Sequence, residues 1–199
     1  VEVKWGDADA DGDQDIFMLS RTTGRLRWIE NPGAAQAFGP VHEINQRPFF
    51  ESQTVASPAE RSLGLALSDL DDDGAVEVVA GFAWGEGQDA RSLPSVLFSN
   101  DGSGDFDTGL SLGRENGELY SQIHIRDIGT GEKILFASDP DCLIKSIFKK
   151  SSGFGVLEEL QVGLGRFEMS FIDADDDGVE EVFLATKQSR VFIGSPDER

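Results

Sequence analysis

Three short acidic segments of this chain share one spacing of carboxylates. Each follows the pattern D-x-D-x-D-G-x-x-[DE], and the three copies start at Asp7, Asp69 and Asp173. Oxygen donors at alternate positions of a tight loop suit a hard cation, because calcium binds roughly six to eight oxygens from carboxylates, backbone carbonyls and water. Glycine at the sixth position permits the sharp bend that brings these oxygens round one point. The spacing therefore predicts calcium sites, at about three ions per chain.

Five positions of each segment supply the predicted ligands, with carboxylates at most of them and a backbone carbonyl at the seventh. These residues are Asp7, Asp9, Asp11, Asp13 and Asp15, then Asp69, Asp71, Asp73, Ala75 and Glu77, then Asp173, Asp175, Asp177, Val179 and Glu181. An EF-hand would need a glutamate at position 12 and flanking helices. That position holds Met18, Ala80 and Leu184, and the flanks are typical of strands, so an EF-hand is excluded.

The composition agrees with an ion-binding globular protein. The chain has 199 residues and a formal net charge of −20, and the three segments hold 16 of its 37 acidic residues. The acidity therefore belongs largely to the ion sites rather than to an acidic tail. Because no basic stripe could neutralise phosphates, nucleic acid is not an expected partner. A single cysteine, Cys142, excludes an intramolecular disulfide, and no apolar run is long enough to span a membrane.

Short apolar or alternating stretches flank every acidic segment, and these predict strands rather than helices. They are 1–5, 15–19, 26–30, 40–44, 62–68, 76–82, 95–99, 106–112, 119–126, 134–137, 143–148, 154–162, 167–172, 182–185 and 190–194. Their grouping predicts an all-β chain of four antiparallel repeats, approximately 1–60, 61–117, 118–165 and 166–199, the last lacking its outer strand. Trp5 and Trp28 lie inside strand patterns and are expected in the core.

A degenerate fourth copy of the acidic pattern lies between the second and third. Residues 126–137 align with the second copy if two residues are deleted, which gives intervals of 62, 58 and 46 residues between the copies. Propeller blades have a period of roughly 40–50 residues, which fits these intervals if the first two are lengthened by insertions. Lys133 replaces the ninth-position acid here, either because its ammonium occupies the space of the ion or because the site has decayed. In both cases no calcium is expected in this copy.

These repeats resemble the FG-GAP/VCBS family, the calcium-binding blades of the integrin α-subunit propeller and of many bacterial surface proteins. The resemblance rests on the three acidic segments with their flanks and, more loosely, on residues 25–33 and 99–106. It implies one β-propeller over 1–199, four antiparallel strands per blade, with calcium in the loop joining strands one and two. We expect a segment of a larger propeller, with a self-sufficient four-bladed or self-assembling form as the alternative. The lysine copy departs from the family pattern.

Two long irregular segments, 45–61 and 85–94, are expected on the face opposite the calcium loops. Long loops on a rigid scaffold commonly carry binding function, so Phe49, Phe50 and Trp84 are candidate ligand contacts for a protein or carbohydrate partner. The competing interpretation is that these aromatic residues pack between blades. Open propeller edges would also favour self-association.

No constellation of catalytic residues is recognisable. His42 and His124 lack a nucleophile or metal-ligand companion at a known spacing, and both are expected to be structural. The sequence thus predicts a non-enzymatic calcium-binding module for adhesion, extracellular or at the cell surface, with a periplasmic setting as the variant. A structural self-assembling scaffold is one alternative function, and a non-catalytic accessory segment of a larger secreted enzyme is another.

Overall fold

The computed structural model describes residues 1–20, 24–33, 37–44, 61–84, 91–112, 122–127, 132–138, 142–149, 153–154, 158–161, 167–173, 181–186 and 191–194. Across these residues the fold is all-β and antiparallel, which confirms that part of the prediction. No helix in the described ranges has the length and hydropathy needed to cross a membrane.

Sixteen strands, labelled in chain order, form the described part of the fold. They are β1 (Glu2–Gly6), β2 (Asp15–Leu19), β3 (Leu26–Ile29), β4 (Val41–Glu43), β5 (Arg61–Ser68), β6 (Glu77–Trp84), β7 (Arg91–Phe98), β8 (Leu110–Leu112), β9 (Gln122–Asp127), β10 (Glu132–Ser138), β11 (Cys142–Lys149), β12 (Gly153–Phe154), β13 (Glu158–Gln161), β14 (Phe167–Ile172), β15 (Glu181–Thr186) and β16 (Val191–Gly194).

The strands pair with their neighbours in sequence and make four separate sheets. Sheet 1 has the order β1-β2-β3-β4 and sheet 2 the order β5-β6-β7-β8. Sheet 3 has the order β9-β10-β11-β12, with β13 also on β11, and sheet 4 has the order β14-β15-β16. All pairings are antiparallel, so each sheet is a meander in which short connections suffice.

Two predicted strands are shortened or interrupted in the structure. The strand expected over 106–112 is confined to β8, because Asp107 Oδ1 accepts hydrogen bonds from the N–H groups of Ser99 and Gly109 and holds a turn. Gly109 has a φ of 85° in that turn, which delays the start of the strand. In sheet 3, the strand expected over 154–162 is present as two pieces, β12 and β13.

Sheet 2 is buried on both faces, whereas sheet 1 buries one. In β6, Val78 and Ala80 pack towards sheet 1 and Val79 packs towards sheet 3. A continuous apolar run suits such a strand, because successive side chains point to opposite faces. In β2 the buried residues alternate with half-buried ones, as expected for a strand covered on one side. The core thus lies between successive sheets.

The first strands of sheets 1, 2 and 3 lie side by side, with β5 beside both β1 and β9. On β5 and β9, the residues two and four before the first aspartate of the following acidic segment face the preceding sheet. Leu65 and Leu67, on the same face of β5, pack on sheet 1, and Ile123 packs on sheet 2. Phe171 of β14 likewise contacts Phe136 of sheet 3, with ring centroids 5.3 Å apart.

The corresponding residues of β1 have no such cover among the described residues. Val3 is 49% exposed and Trp5 is 58% exposed, so the prediction that Trp5 lies in the core is wrong. Trp28 is 4% exposed, as predicted, because it lies on the opposite face of sheet 1, which packs on sheet 2. The tryptophans differ because a strand pattern does not tell which faces of a sheet have a neighbour.

Candidate metal centres

Both acidic loops that the structure describes connect the first two strands of a sheet. The loop 7–14 lies between β1 and β2, and the loop 69–76 lies between β5 and β6. We call the segments Asp7–Asp15 and Asp69–Glu77 loop 1 and loop 2. In each, the ninth acid is the first residue of the second strand, so the sheet itself fixes its position.

The first aspartate of each loop closes it by accepting the N–H of the sixth-position glycine. The distance is 2.8 Å from Gly12 N to Asp7 Oδ2 and 3.1 Å from Gly74 N to Asp69 Oδ2. Gly12 has a φ of 91° and Gly74 a φ of 99°, conformations that residues with a side chain rarely adopt. The bend predicted from glycine at this position is therefore present in both loops.

A second left-handed residue precedes that glycine by two positions. Ala10 has a φ of 58° and Asp72 a φ of 59°, although neither is glycine. A non-glycine residue in this region costs free energy unless the surroundings fix it. Its recurrence at the fourth position of both loops shows that the two loops share one backbone path.

The ninth acid of each loop is buried and holds the loop's first peptide group. Asp15 is fully buried, and its Oδ2 accepts the Ala8 N–H at 2.7 Å while its Oδ1 accepts the Asn31 N–H at 2.7 Å. Glu77 is 3% exposed, and its Oε2 accepts the Leu70 N–H. The two acids differ in their remaining oxygen, because Glu77 Oε1 has no hydrogen-bond partner among the described residues.

Three carboxylates of each loop converge on one point. They come from Asp7, Asp9 and Asp15 in loop 1 and from Asp69, Asp71 and Glu77 in loop 2, with one oxygen of each within 4.8 Å of the others. The structure thus brings together the predicted ligands at the first, third and ninth positions. Several of their oxygens are buried without a hydrogen-bond donor from the described residues, namely Asp7 Oδ1, Asp9 Oδ1, Asp71 Oδ1 and Glu77 Oε1.

The fifth-position aspartate has a different local role in both loops. Asp11 Oδ1 accepts the Asp13 N–H at 2.8 Å, and Asp73 Oδ1 accepts the Ala75 N–H at 2.8 Å. Each bond spans two residues, the geometry by which aspartate stabilises a turn. The fifth-position aspartates are not members of the three-carboxylate clusters, and their role as ligands, like that of the seventh-position carbonyls, stays a prediction.

Burial and mutual repulsion raise the pKa values of these acids. Desolvation is the main cause for the raised pKa of Asp9, followed by the charge of Asp11. Desolvation also raises the pKa of Asp15, against the opposing effect of its two backbone hydrogen bonds. The pKa of Glu77 rises to about 7, because burial and the nearby charge of Asp71 outweigh the backbone N–H groups of Leu70 and Asn100, which lower it. The shifts in pKa thus arise because several carboxylates of like charge are buried close together.

The third acidic segment lies mostly outside the described residues. Asp173 directly follows β14, and Glu181 begins β15, where its backbone pairs with Ile172. Residues 174–180, with Asp175, Asp177 and Val179, fall in a range that the structure does not describe. Their role as ligands stays a prediction.

The three aromatic residues predicted as ligand contacts lie at or beyond the edges of the described ranges. Phe49 and Phe50 lie outside the described residues. Trp84 is the last residue of β6 and pairs with Arg91, the first residue of β7. The segment 91–94 therefore belongs to a strand, and the irregular connection expected over 85–94 is shorter than predicted.

In the degenerate copy, Lys133 is buried at 6% exposure and reaches towards the neighbouring loop 2. Its ammonium donates to the carbonyl oxygen of Asp69 and to Asp72 Oδ1, the latter at 3.1 Å. Glu132 is engaged elsewhere, in an ion pair with Lys149 at 2.6 Å. The lysine thus contacts the acidic loop of the preceding sheet.

Two asparagines support the loops, although neither was among the predicted site residues. The Asn31 side chain donates to the carbonyl of Gln14 at 3.1 Å, and the Asn100 side chain donates to the carbonyl of Val76 at 3.2 Å. Gln14 and Val76 both occupy the eighth position of their loops. The signal that could have found them is an N-x-G sequence soon after the third predicted strand of the first two repeats, at 31–33 and 100–102.

Both histidines make aromatic contacts. His42 stacks on Trp28 with ring centroids 4.3 Å apart and planes inclined by 14°. His124 packs against Phe171 at 5.3 Å, and burial together with the charges of Lys4 and Arg126 lowers its pKa to about 4.

The part of the chain that the structure describes is an antiparallel all-β fold with two acidic clusters, each able to hold a metal ion. Comparison with models of known protein families gives no match, and no curated protein matches the chain.

Proposed function

We propose that this chain is a non-enzymatic, calcium-stabilised β-propeller module that binds a protein or glycan at the cell surface or outside the cell. The observation that carries the proposal is the set of buried carboxylate oxygens, without a donor from the described residues, that converge in two loops of identical spacing. Burying a charged oxygen without a donor or cation is costly, and the chain does so in both loops.

The number of carboxylates in each cluster favours calcium over magnesium. Calcium takes roughly six to eight oxygens in a flexible geometry, with several carboxylates among them. Magnesium demands near-ideal octahedral geometry, keeps several waters and is usually bound through only one or two carboxylates. Each cluster offers three carboxylates from one loop. Pure carboxylate donors also suit calcium better than soft or borderline metals.

The arrangement of the sheets supports a propeller. Each sheet is an antiparallel meander, and the first strands of sheets 1, 2 and 3 lie side by side. Radially repeated four-stranded sheets with adjacent inner strands are the architecture of a propeller blade array. The resemblance of the acidic segments to FG-GAP/VCBS repeats supports the same proposal, including the third calcium ion at Asp173.

Calcium titration of chelator-stripped protein tests this function. We expect about three ions per chain, a higher melting temperature with calcium than with chelator, and little effect of magnesium at the same concentration. Binding of no calcium, with the same melting curve in chelator, would refute the calcium sites.

A structural, self-assembling role is the second candidate, and the exposed face of β1 favours it. Val3 and Trp5 occupy positions that in the following sheets are covered by a neighbour. Sedimentation velocity over a range of concentrations compares the native chain with Val3→Glu and with Leu110→Glu, a matched change at a residue that is 60% exposed on β8. Association that Val3→Glu abolishes and Leu110→Glu preserves would favour assembly through this face.

A further inference from the structure

The first peptide group of loop 1 is held at both ends. Its N–H, from Ala8, donates to Asp15 Oδ2 at 2.7 Å, and its carbonyl, from Asp7, accepts the N–H of Val76 at 2.8 Å. Val76 belongs to loop 2, so the next repeat supplies the outer hydrogen bond. A continuous chain of hydrogen bonds thus runs from the next repeat to a candidate metal ligand.

The first peptide group of loop 2 is held in the same way, by a side chain instead of the backbone. Its N–H, from Leu70, donates to Glu77 Oε2, and its carbonyl, from Asp69, accepts from the ammonium of Lys133. Lys133 lies on β10 of sheet 3, the sheet that follows loop 2. The two loops therefore have matching arrangements, with Lys133 in the role of the Val76 N–H.

The degenerate copy explains why a side chain takes this role. Its loop is two residues shorter than loop 2 in the alignment of 126–137 with 68–81. Lysine carries a donor at the end of a long flexible stem, so it can reach the Asp69 carbonyl from the strand itself. Lys133 stands where the intact repeats have their ninth acid, and it is buried at 6% exposure.

We propose that Lys133 is a positioning residue for the cation site of loop 2, acting through the Asp69–Leu70 peptide group on Glu77. This inference rests on the proposed calcium-binding function. A donor on the carbonyl polarises the peptide group and strengthens the hydrogen bond that its N–H makes. Glu77 Oε2 is thereby fixed to Leu70, and the buried Oε1, which has no donor among the described residues, is left for the cation. The degenerate repeat thus positions a ligand in the cation site of the preceding repeat.

The positive charge of Lys133 has an opposing effect, because an ammonium repels a nearby cation. That charge is partly compensated by Asp72, whose Oδ1 lies 3.1 Å from the Lys133 Nζ. Residues that orient metal ligands typically change metal affinity by about 10- to 100-fold when removed. We therefore expect the loss of positioning to outweigh the relief of repulsion.

Calcium titration calorimetry on chelator-stripped native protein, Lys133→Met and Lys149→Met tests the proposal. Lys149→Met removes the same charge from the same sheet, but its ammonium pairs with Glu132 on the exposed surface. We expect Lys133→Met to weaken one calcium site by about tenfold or more, while the other sites and all sites of Lys149→Met keep their native affinity. In an Asp71→Asn background, which removes the site of loop 2, Lys133→Met should cause no further change in calcium affinity.

The melting temperature in chelator is the second readout, since it reports folding without calcium. If Lys133→Met does not fold, Lys133→Gln replaces it, because glutamine keeps an N–H donor without the charge and should retain part of the affinity. Native-like or tighter calcium binding by the folded variant overturns the proposal, while the proposed function stands. If the native chain binds no calcium, both are overturned.

Discussion

Replacing Glu77 by glutamine should have opposite effects on the metal-free and the calcium-loaded protein. Glu77 is 3% exposed, with Oε2 bonded to the Leu70 N–H and Oε1 lacking a donor from the described residues, near Asp71. Glutamine can keep the acceptor for Leu70, and it removes the buried negative charge. The amide removes the desolvation of a buried charge and its repulsion from Asp71, so the metal-free variant should gain about 1–3 kcal/mol in stability.

In calcium the balance reverses, because the variant lacks one ligand of loop 2. A site occupied at a hundred times its dissociation constant contributes about 2.7 kcal/mol to the free energy of unfolding. For a domain of this size, 1 kcal/mol shifts the melting temperature by about 2–4 °C. We expect Glu77→Gln to melt about 2–12 °C above the native chain in chelator, and its rise on adding calcium to be about 5–11 °C smaller.

Asp15→Asn is the matched control at the same position of loop 1. Both oxygens of Asp15 accept backbone N–H groups at 2.7 Å. The asparagine side chain has only one oxygen, so its NH₂ group would face one of these N–H donors and that hydrogen bond would be lost. We expect Asp15→Asn to lower the melting temperature in chelator by about as much as Glu77→Gln raises it. If Glu77→Gln also melts lower than the native chain in chelator, Glu77 acts as a structural acceptor and the reasoning from its Oε1 is wrong.

Three further perturbations have expected outcomes. Asp71→Asn should reduce calcium stoichiometry by one ion, whereas Asp127→Asn, in the degenerate copy, should leave it unchanged; equal loss in both variants would contradict the assignment of sites. Asn100→Ala should lower stability in urea by about 1–3 kcal/mol, because the buried Ala8 carbonyl loses its donor at 2.7 Å; an unchanged urea midpoint would exclude that role. The pKa of His124 is lowered to about 4, against about 6.5 in the unfolded chain. The unfolded chain therefore binds the proton first, and stability present above pH 6.5 is lost as the pH falls towards 4. His124→Gln should make the fall in stability between pH 7 and 5 smaller by about 2 kcal/mol, measured by urea unfolding at both values; an undiminished fall would assign it to other groups.

The local part of the fold and of the sites could be predicted from the sequence. Strand periodicity and the acidic spacing depend on residues close in the chain, and both gave the all-β, antiparallel architecture and the convergence of the first, third and ninth acids of loops 1 and 2. The sixth-position glycines predicted a bend that the structure contains. These features require no knowledge of which sheets are neighbours.

Features that depend on contacts between sheets could not be predicted. The Lys133 ammonium meets the carbonyl of a residue 64 positions earlier, and Asn100 meets a residue 92 positions earlier. A single sequence does not encode such pairings as a local pattern. Trp5 and Trp28 could not be told apart for the same reason. Both lie in strands, but Trp28 is buried because its face of sheet 1 packs on sheet 2, whereas the face that carries Trp5 is exposed.

The hydrogen bonds from Val76 and Lys133 to the preceding loops have a consequence for how the chain loses its structure. Since each described loop is completed by the following repeat, the smallest unit with a complete candidate ion-binding loop is a pair of adjacent repeats, not one. Stability then depends on nearest-neighbour terms, as in other repeat proteins. Detaching sheet 3 would leave loop 2 without its outer donor while loop 1, held by sheet 2, stays complete. Ion release should therefore begin at loop 2 when unfolding spreads from the carboxyl-terminal side, giving stepwise release along the array.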